Sequence, residues 1–269
     1  LSDVIFSAEH ISYSYLGTFK ALEDVSFQIA SGERVALLGA NGCGKSTLLR
    51  ILDGLIFPDT GRLIAFGTPI TEETLGDENF SLAFRQRVGF VFQNADAQLF
   101  NPTVWDEIAF GPLHLGLPAE KVKQRVQDVL AMLGLERLAG RAPYQLSGGE
   151  KRKVAIASVL AVSPEVLLLD EPTSGLDPRT EMWVVELLDQ LHRAGRTILV
   201  ATHHLHMLED LADRALVFSE DHRLVADRPV RQILGDRDLL ISANLMHEHA
   251  HGHGAVAHTH LHETIAHHD

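Results

Sequence analysis

The sequence predicts an α/β fold: a parallel sheet core, an antiparallel β layer ahead of it and a helical insertion inside it. Three observations carry this. Four short apolar runs (residues 35–38, 88–92, 166–169 and 197–201) have strand length and no alternation, as strands buried on both faces of a parallel sheet do. The first run leads into Gly39-Ala-Asn-Gly-Cys-Gly-Lys-Ser46, which fits G-x-x-x-x-G-K-[ST], and then into a helical pattern over 46–53. Ahead of it, residues 4–15 and 21–30 alternate apolar with polar, the mark of half-buried antiparallel strands.

In chain order, the strand at 4–15 carries Ile5, Ile11, Tyr13 and Tyr15, and that at 21–30 carries Leu22, Val25, Phe27 and Ile29. Tyr15 ends the first strand. Its position favours packing on the core, with stacking on an adenine ring as the alternative. The glycine loop at 39–46 is the strongest chemical signal. Glycines let backbone N–H groups converge on a polyphosphate without Cβ clashes, and the following helix turns its positive end to the same anion. Lys45 is expected at the β- and γ-phosphates, and the Ser46 hydroxyl on Mg²⁺. A short strand at 61–66 follows a Pro58-Asp59-Thr60-Gly61 turn. Residues 71–86 are acidic and helical in part.

Gln93 closes the strand at 88–92, at the sheet edge where α/β folds place ligand contacts. By itself it reads equally as a loop hydrogen-bonder. Residues 94–142 hold helical patterns at 104–110 and 119–133, broken by Pro102, Pro112, Pro118 and Pro143. Val122, Val126, Val129, Leu130 and Leu133 form one apolar face. Ser147 and Glu150 form a capping box for a helix at 150–161, a complete structural reading in itself. The strand at 166–169 ends in Asp170 and Glu171. An acid there, downstream of a phosphate loop, is the expected second Mg²⁺ contact, so Asp170 takes that role and Glu171 that of general base. A helix at 178–194 follows, then the strand at 197–201 ending in Thr202, His203 and His204. Residues 214–218 and 223–225 suggest a small hairpin, and 229–244 a terminal helical segment.

The totals bound the function. With 23 basic against 36 acidic residues the net charge is −13, which argues against a chain that grips nucleic acid or an anionic membrane. No apolar run approaches membrane-spanning length, and the N-terminus, with Asp3 and Glu9, lacks a signal-peptide pattern. One cysteine, Cys43, excludes an internal disulfide and fits a reducing compartment.

Taken together, the loop at 39–46, Gln93, Leu146-Ser-Gly-Gly-Glu150, Leu167-Leu-Leu-Asp-Glu-Pro172, Ser174-Gly-Leu-Asp177 and His203 resemble, in type and order, the ATP-binding-cassette (ABC) ATPases. The resemblance covers residues 4–219, and LSGGE separates it from other phosphate-loop classes. It implies a P-loop NTPase fold: a RecA-like core, an antiparallel β subdomain and a helical subdomain at about 94–160, within an ATPase domain at 1–245. It also implies ATP and Mg²⁺ as cofactors. Two subunits would sandwich two ATPs, each between one phosphate loop and the partner's Ser147, Gly148 and Gly149. Tyr15, Gly39, Asn41, Gly42, Gly44, Lys45, Ser46, Thr47 and Asp177 would contact nucleotide or the dimer seam. Ser46, Gln93 and Asp170 would hold Mg²⁺. Glu171, His203 and Gln93 would be catalytic.

Within that family the text at 88–100, 103–118 and 146–161 is similar to the ATPases of energy-coupling-factor importers, the cobalt and nickel branch first. The resemblance implies a peripheral subunit on the cytoplasmic face of a bacterial-type inner membrane. Its partners would be a second ATPase subunit (expected as a homodimer), a transmembrane coupling subunit and a substrate-binding membrane subunit, with no nucleic acid. Co²⁺ is the first expected cargo; Ni²⁺ and a vitamin carried by a shared module are the alternatives. Ala95, Ala97 and His204 depart from the usual pattern. A metallochaperone GTPase is the rival of another class, but the chain lacks an N/T-K-x-D guanine-reading motif.

From residue 246 to 269 the composition changes, with 9 of the chain's 16 histidines. His247, His249, His251 and His253 alternate, as do His258, His260 and His262. Imidazole binds late first-row metals, so these are transition-metal candidates on a tail expected to be flexible.

Overall fold

The elements follow the periodicity of the chain. The computed structural model describes residues 3–253 and 256–263, and for 247–253 and 256–263 it describes the backbone. In chain order, β1 (Val4–Tyr15), β2 (Phe19–Ala30), β3 (Arg34–Leu38), α1 (Lys45–Leu52), β4 (Thr60–Ala65) and β5 (Thr68–Pro69) come first. Then come α2 (Glu72–Gly76), α3 (Glu78–Arg87), β6 (Val88–Val91), α4 (Val104–His114), α5 (Ala119–Leu133), α6 (Gly148–Leu160), β7 (Val166–Asp170) and α7 (Pro178–Arg193). Next are β8 (Thr197–Thr202), α8 (Leu208–Leu211), β9 (Arg214–Phe218), β10 (Leu224–Pro229), α9 (Val230–Leu234) and α10 (Arg237–Ser242). The last two strands are β11 (Met246–His253) and β12 (Val256–Glu263). The chain divides into two compact units, residues 1–70 with 200–269, and residues 71–199.

In the first unit, β1 pairs antiparallel with both β2 and β4, making the expected antiparallel layer. The alternation is real burial: Ile11, Leu22, Val25 and Ile29 are at most 1% exposed. A second sheet carries β3 parallel to β9, in register from Val35 opposite Arg214 to Leu38 opposite Val217. The hairpin expected near the C-terminus is β9 and β10. Leu38 and Val217 join Leu208, Val230, Ile233 and Leu240 in one apolar cluster under the terminal helices. Arg214 fixes the sheet edge with a bidentate pair to Asp227 at 2.6 and 2.7 Å and a bond to Glu33 at 2.9 Å. These carboxylates hold its guanidinium above its ordinary pKa, against the effect of burial.

In the second unit, β6 and β7 pair parallel, Val88 opposite Val166 and Val91 opposite Leu169. Gly89 lets α6 approach this sheet, since a Cβ there would lie 2.4 Å from Val159 Cγ1. The predicted apolar face of α5 is buried at all five positions. That helix ends at Gly134, φ 67°, with Leu135 N donating to Leu130 O at 2.8 Å.

One expectation needs correction. Pro112 does not break the helical insertion: α4 runs through it to His114. A proline removes one backbone donor, and tertiary packing holds the rest of the helix. The helix stops instead at Gly116, φ 72°, where Leu117 N bonds Pro112 O at 3.1 Å. Sequence gave no sign of Glu107, a 3% exposed acid on α4. Its carboxylate accepts from the backbone N–H groups of Phe100 at 2.9 Å and Asn101 at 2.8 Å, pinning the preceding loop.

The tail, expected as a flexible segment, pairs β11 with β12 in an antiparallel ribbon. The side chains of residues 247–269, all nine tail histidines among them, lie outside the described residues. No helix among the described residues is long and apolar enough to cross a membrane.

Candidate functional site

In the first unit, β3 delivers the chain at Leu38 into the glycine loop, and α1 leaves it. Three glycines hold left-handed or mirror conformations: Gly39 at φ 158°, Gly42 at 83° and Gly44 at 111°. Two of them are also pressed from behind. A Cβ on Gly44 would lie 2.1 Å from Ala21 O, and one on Gly39 would lie 2.8 Å from Phe218 O. Lys45 is 6% exposed, and its Nζ donates to Gly39 O at 2.6 Å and Ala40 O at 3.1 Å, which locks the side chain over the loop. The α1 N-terminus has no side-chain cap and no acid in its first turn. Its first N–H groups therefore fit an anion that brings its own acceptors. Ser46 is half-buried, Thr47 is buried and Asn41 is exposed.

Tyr15 sits at this loop. Its hydroxyl lies 3.2 Å from Thr47 Oγ1 and accepts from Arg50 Nη1 at 3.2 Å, both on α1. The ring is half-buried and meets Tyr13 edge-on at 5.0 Å between centroids. Neither sequence alternative predicted this tie between strand end and phosphate-loop helix. His203 follows β8 directly. Its ring lies 4.1 Å from that of His204, whose backbone N–H donates to Thr202 Oγ1 at 3.1 Å.

In the second unit, β7 ends in Asp170 and Glu171, each 4% exposed. Glu171 has φ 45°, a left-handed conformation that a branchless but bulky side chain adopts only when its surroundings enforce it. The turn after it is closed by Ser174 N donating to Glu171 O at 3.2 Å. Asp177 caps α7, accepting from Arg179 N, Thr180 N and the Thr180 hydroxyl at 3.1, 3.1 and 2.6 Å. Those bonds hold its carboxyl below its ordinary pKa, the Thr180 hydroxyl contributing most.

Ser147 and Glu150 make the predicted capping box, with Ser147 N donating to Glu150 Oε2 at 2.8 Å and Glu150 N to Ser147 Oγ at 3.3 Å. The Ser147 backbone bond is the main reason the Glu150 carboxyl is held below its usual range. Gly149 packs on α7: a Cβ there would lie 3.1 Å from Thr180 Oγ1. Gly149 and Asp177 thus both neighbour Thr180. Gly148 stands open, with nothing near its Cβ position.

Arg152 was not legible as a site residue. It is 5% exposed on α6 and grips the end of β6, Nη1 to Phe92 O at 2.7 Å and Nη2 to Gln93 O at 2.5 Å. Burial lowers the guanidinium's pKa, and the charge of Asp170 opposes that shift. Gln93 itself is exposed, so its backbone is fixed and its side chain points from a rigid base. Gln98 reinforces the loop, accepting from Phe92 N at 3.0 Å and donating to Ala155 O at 2.9 Å. Arg152→Met keeps the apolar stem and removes the fork. It is expected to cost about 1–3 kcal/mol, read as a lower urea midpoint, because two carbonyls lose a charged donor. An unchanged midpoint would mean the fork contributes nothing.

The donor sets fit the cofactors the motifs imply. A lysine, a nest of backbone N–H groups and an uncapped helix end suit a polyphosphate. Ser46 in the first unit, and Gln93 and Asp170 in the second, each carry an oxygen donor of the hard kind that suits Mg²⁺.

Comparisons agree with the geometry. The family model described as ABC transporter matches residues 22–174, more than half of the chain. A putative ABC transporter ATP-binding protein of Methanosarcina acetivorans is 53% identical over 250 residues, covering 92% of this chain and 91% of its own. The nickel import ATP-binding protein NikO of Rhodobacter capsulatus is 48% identical, covering 90% of this chain and 95% of its own. Among solved structures, CbiO1 of Clostridium perfringens, part of the ABC transporter complex CbiONQ, superposes with a TM-score of 0.76. It is 34% identical, covering 90% of this chain and 95% of its own. With its phosphate loop, signature helix and strand-end carboxylates in place, this chain belongs to the ATP-binding-cassette family of transporter ATPases.

Proposed function

We propose that this cassette powers an energy-coupling-factor importer for a divalent transition metal. Two copies bind two ATPs, each between the phosphate loop of one subunit and Ser147, Gly148 and Gly149 of the other. Asn41, Gly42 and the α1 N–H groups cradle the phosphates, Lys45 neutralises them and Tyr15 stacks on the adenine. Ser46, Asp170 and Gln93 would hold Mg²⁺, which would offset charge on the phosphate oxygens. Glu171 accepts the proton of the attacking water, and His203 holds the γ-phosphate geometry. Asp177, already locked as a helix cap, presents its turn at the dimer seam.

A coupling surface supports the membrane partner. Phe100, Phe110 and Leu113 are 67%, 46% and 57% exposed, and the two phenylalanine rings meet at 5.0 Å. Exposed apolar side chains clustered beside a helix mark an interaction site. This patch is where a segment of the transmembrane subunit docks, holding the ATPase at the cytoplasmic face of the membrane. ATP-driven closure and opening then shift the transporter between states.

The likeness to a nickel import subunit over nine-tenths of the chain carries the cargo reading. The sequence put Co²⁺ first, and the name of that relative favours Ni²⁺ as the second reading. Cells carrying the whole transporter, with wild-type or Glu171→Gln ATPase, test both by uptake of labelled Co²⁺ and Ni²⁺. Uptake of either ion that stops with Glu171→Gln is the expected result. If neither ion moves, a vitamin cargo takes first place.

A further inference from the structure

Thr47 and Arg50 are three residues apart on α1, so both side chains leave one face of the helix. That face meets the end of β1. The Tyr15 hydroxyl lies 3.2 Å from Thr47 Oγ1 and accepts from Arg50 Nη1 at 3.2 Å. The ring is thus held at its far end, while Tyr13 meets it edge-on at 5.0 Å. The backbone between the two tyrosines is pinned as well. Ser14 N donates to Asp59 Oδ2 at 2.7 Å, and Asp59 N donates to Ser12 O at 2.9 Å. Burial, Tyr15 and Asp59 raise the Tyr13 phenol above its ordinary pKa and Arg50 opposes them, so the guanidinium charge reaches this whole cluster. Nothing in the phosphate-loop pattern calls for an arginine at position 50. It stands in the last turn of α1, away from the N–H groups that face an anion. The ordinary role of a cation there is to complement the helix C-terminus, which would affect every ligand alike.

We propose that Arg50 is a positioning residue for the nucleotide base: through the Tyr15 hydroxyl it presets the aromatic platform, and through α1 it fixes that platform relative to the phosphate loop. The proposal rests on the reading that Tyr15 stacks on the adenine. A tyrosine ring free to rotate loses side-chain entropy when a base settles on it, and a ring already anchored loses less. The charged donor makes this anchor stronger than a neutral one. Lys45 and Arg50 stand on the same eight-residue helix, so one rigid element grips both the base and its phosphates. The anchor therefore adds affinity only for a ligand that carries a base.

Calorimetric titration of the full chain with ADP and with inorganic pyrophosphate separates base from phosphate. Arg50→Met keeps an apolar stem and good helix propensity and removes the donor. Its ADP affinity is expected to fall about three- to tenfold, with pyrophosphate affinity unchanged. Tyr15→Phe keeps the ring and removes the acceptor, so the same split is expected. The double variant is expected to bind ADP no more weakly than Tyr15→Phe alone, because both changes break one bond. Tyr15→Ala reads the stacking itself, with a larger loss for ADP and none for pyrophosphate. Retained pyrophosphate binding also reports that the phosphate loop is folded in each variant. Equal losses for both ligands in Arg50→Met would overturn the proposal and leave Arg50 a structural cation of the helix end. Unchanged ADP affinity in Arg50→Met beside a weakened Tyr15→Ala would overturn it too, with adenine stacking intact. So would additive losses in the double variant. If Tyr15→Ala binds ADP as wild type does, the stacking reading falls and the proposal with it.

Discussion

Glu171→Gln is expected to lower ATP turnover by about 10²–10⁴-fold, the span that a positioned general base supplies. Glutamine matches glutamate in shape, so the buried position and its φ of 45° are kept and only the proton acceptor is lost. The phosphate loop, Lys45 and Tyr15 are untouched, so ATP affinity should hold. Binding without hydrolysis leaves the closed state with no exit, and a dimer that persists with ATP is the second expected result. Phosphate release measures the first and size-exclusion chromatography with ATP the second. Turnover near that of wild type would remove Glu171 from the role of base. Turnover lost together with ATP binding would point to a folding defect, which thermal melting would show.

Gly44→Ala is expected to have the larger structural effect. The new methyl group would meet the Ala21 carbonyl oxygen at 2.1 Å, a backbone atom that cannot rotate away, at a φ of 111°. Backbone strain of this kind costs about 1–3 kcal/mol before the clash is counted. A loss near 3 kcal/mol lowers the melting temperature of a chain this size by roughly 6–12 °C. ATP binding should be lost as well, because relief of the clash means moving the first turn of α1. Gly42→Ala is the control. Its φ is 83°, but nothing lies within 4 Å of its Cβ position. It meets conformational strain alone, about 1–2 kcal/mol. Melting curves with and without Mg-ATP rank the two. If both variants melt alike, the close approach of Ala21 to the loop does not matter.

The two substitutions differ in how far they could be foreseen. That position 44 needs glycine follows from the phosphate-loop pattern. That position 44 is held against Ala21, and position 42 against nothing, is a fact of packing between β2 and the loop. The same split runs through the signature helix. Ser147 and Glu150 are three residues apart, so their capping box was legible. That the neighbouring Gly149 and the α7 cap Asp177 both meet Thr180 was not, because that contact crosses from α6 to α7.

Local rules determined most of the fold. Period-2 alternation gave β1 and β2, unbroken apolar runs gave β3, β6, β7 and β8, and helical spacing gave α5 with its bounds. Where a local rule was followed too literally, at Pro112, packing on the rest of the helical insertion overrode it. The order of motifs was enough to place the chain in its family, since each motif is a few residues long and carries its own chemistry. Two things were decided only by tertiary structure. Arg152 and Gln93 are 59 residues apart, and no periodicity joins a helix side chain to a carbonyl at a distant strand end. Glu107 reads as an ordinary acid until its burial is known. Sequence specifies neighbours within a turn or a strand; which distant residues meet depends on pairing and packing, and there the same text allows more than one answer.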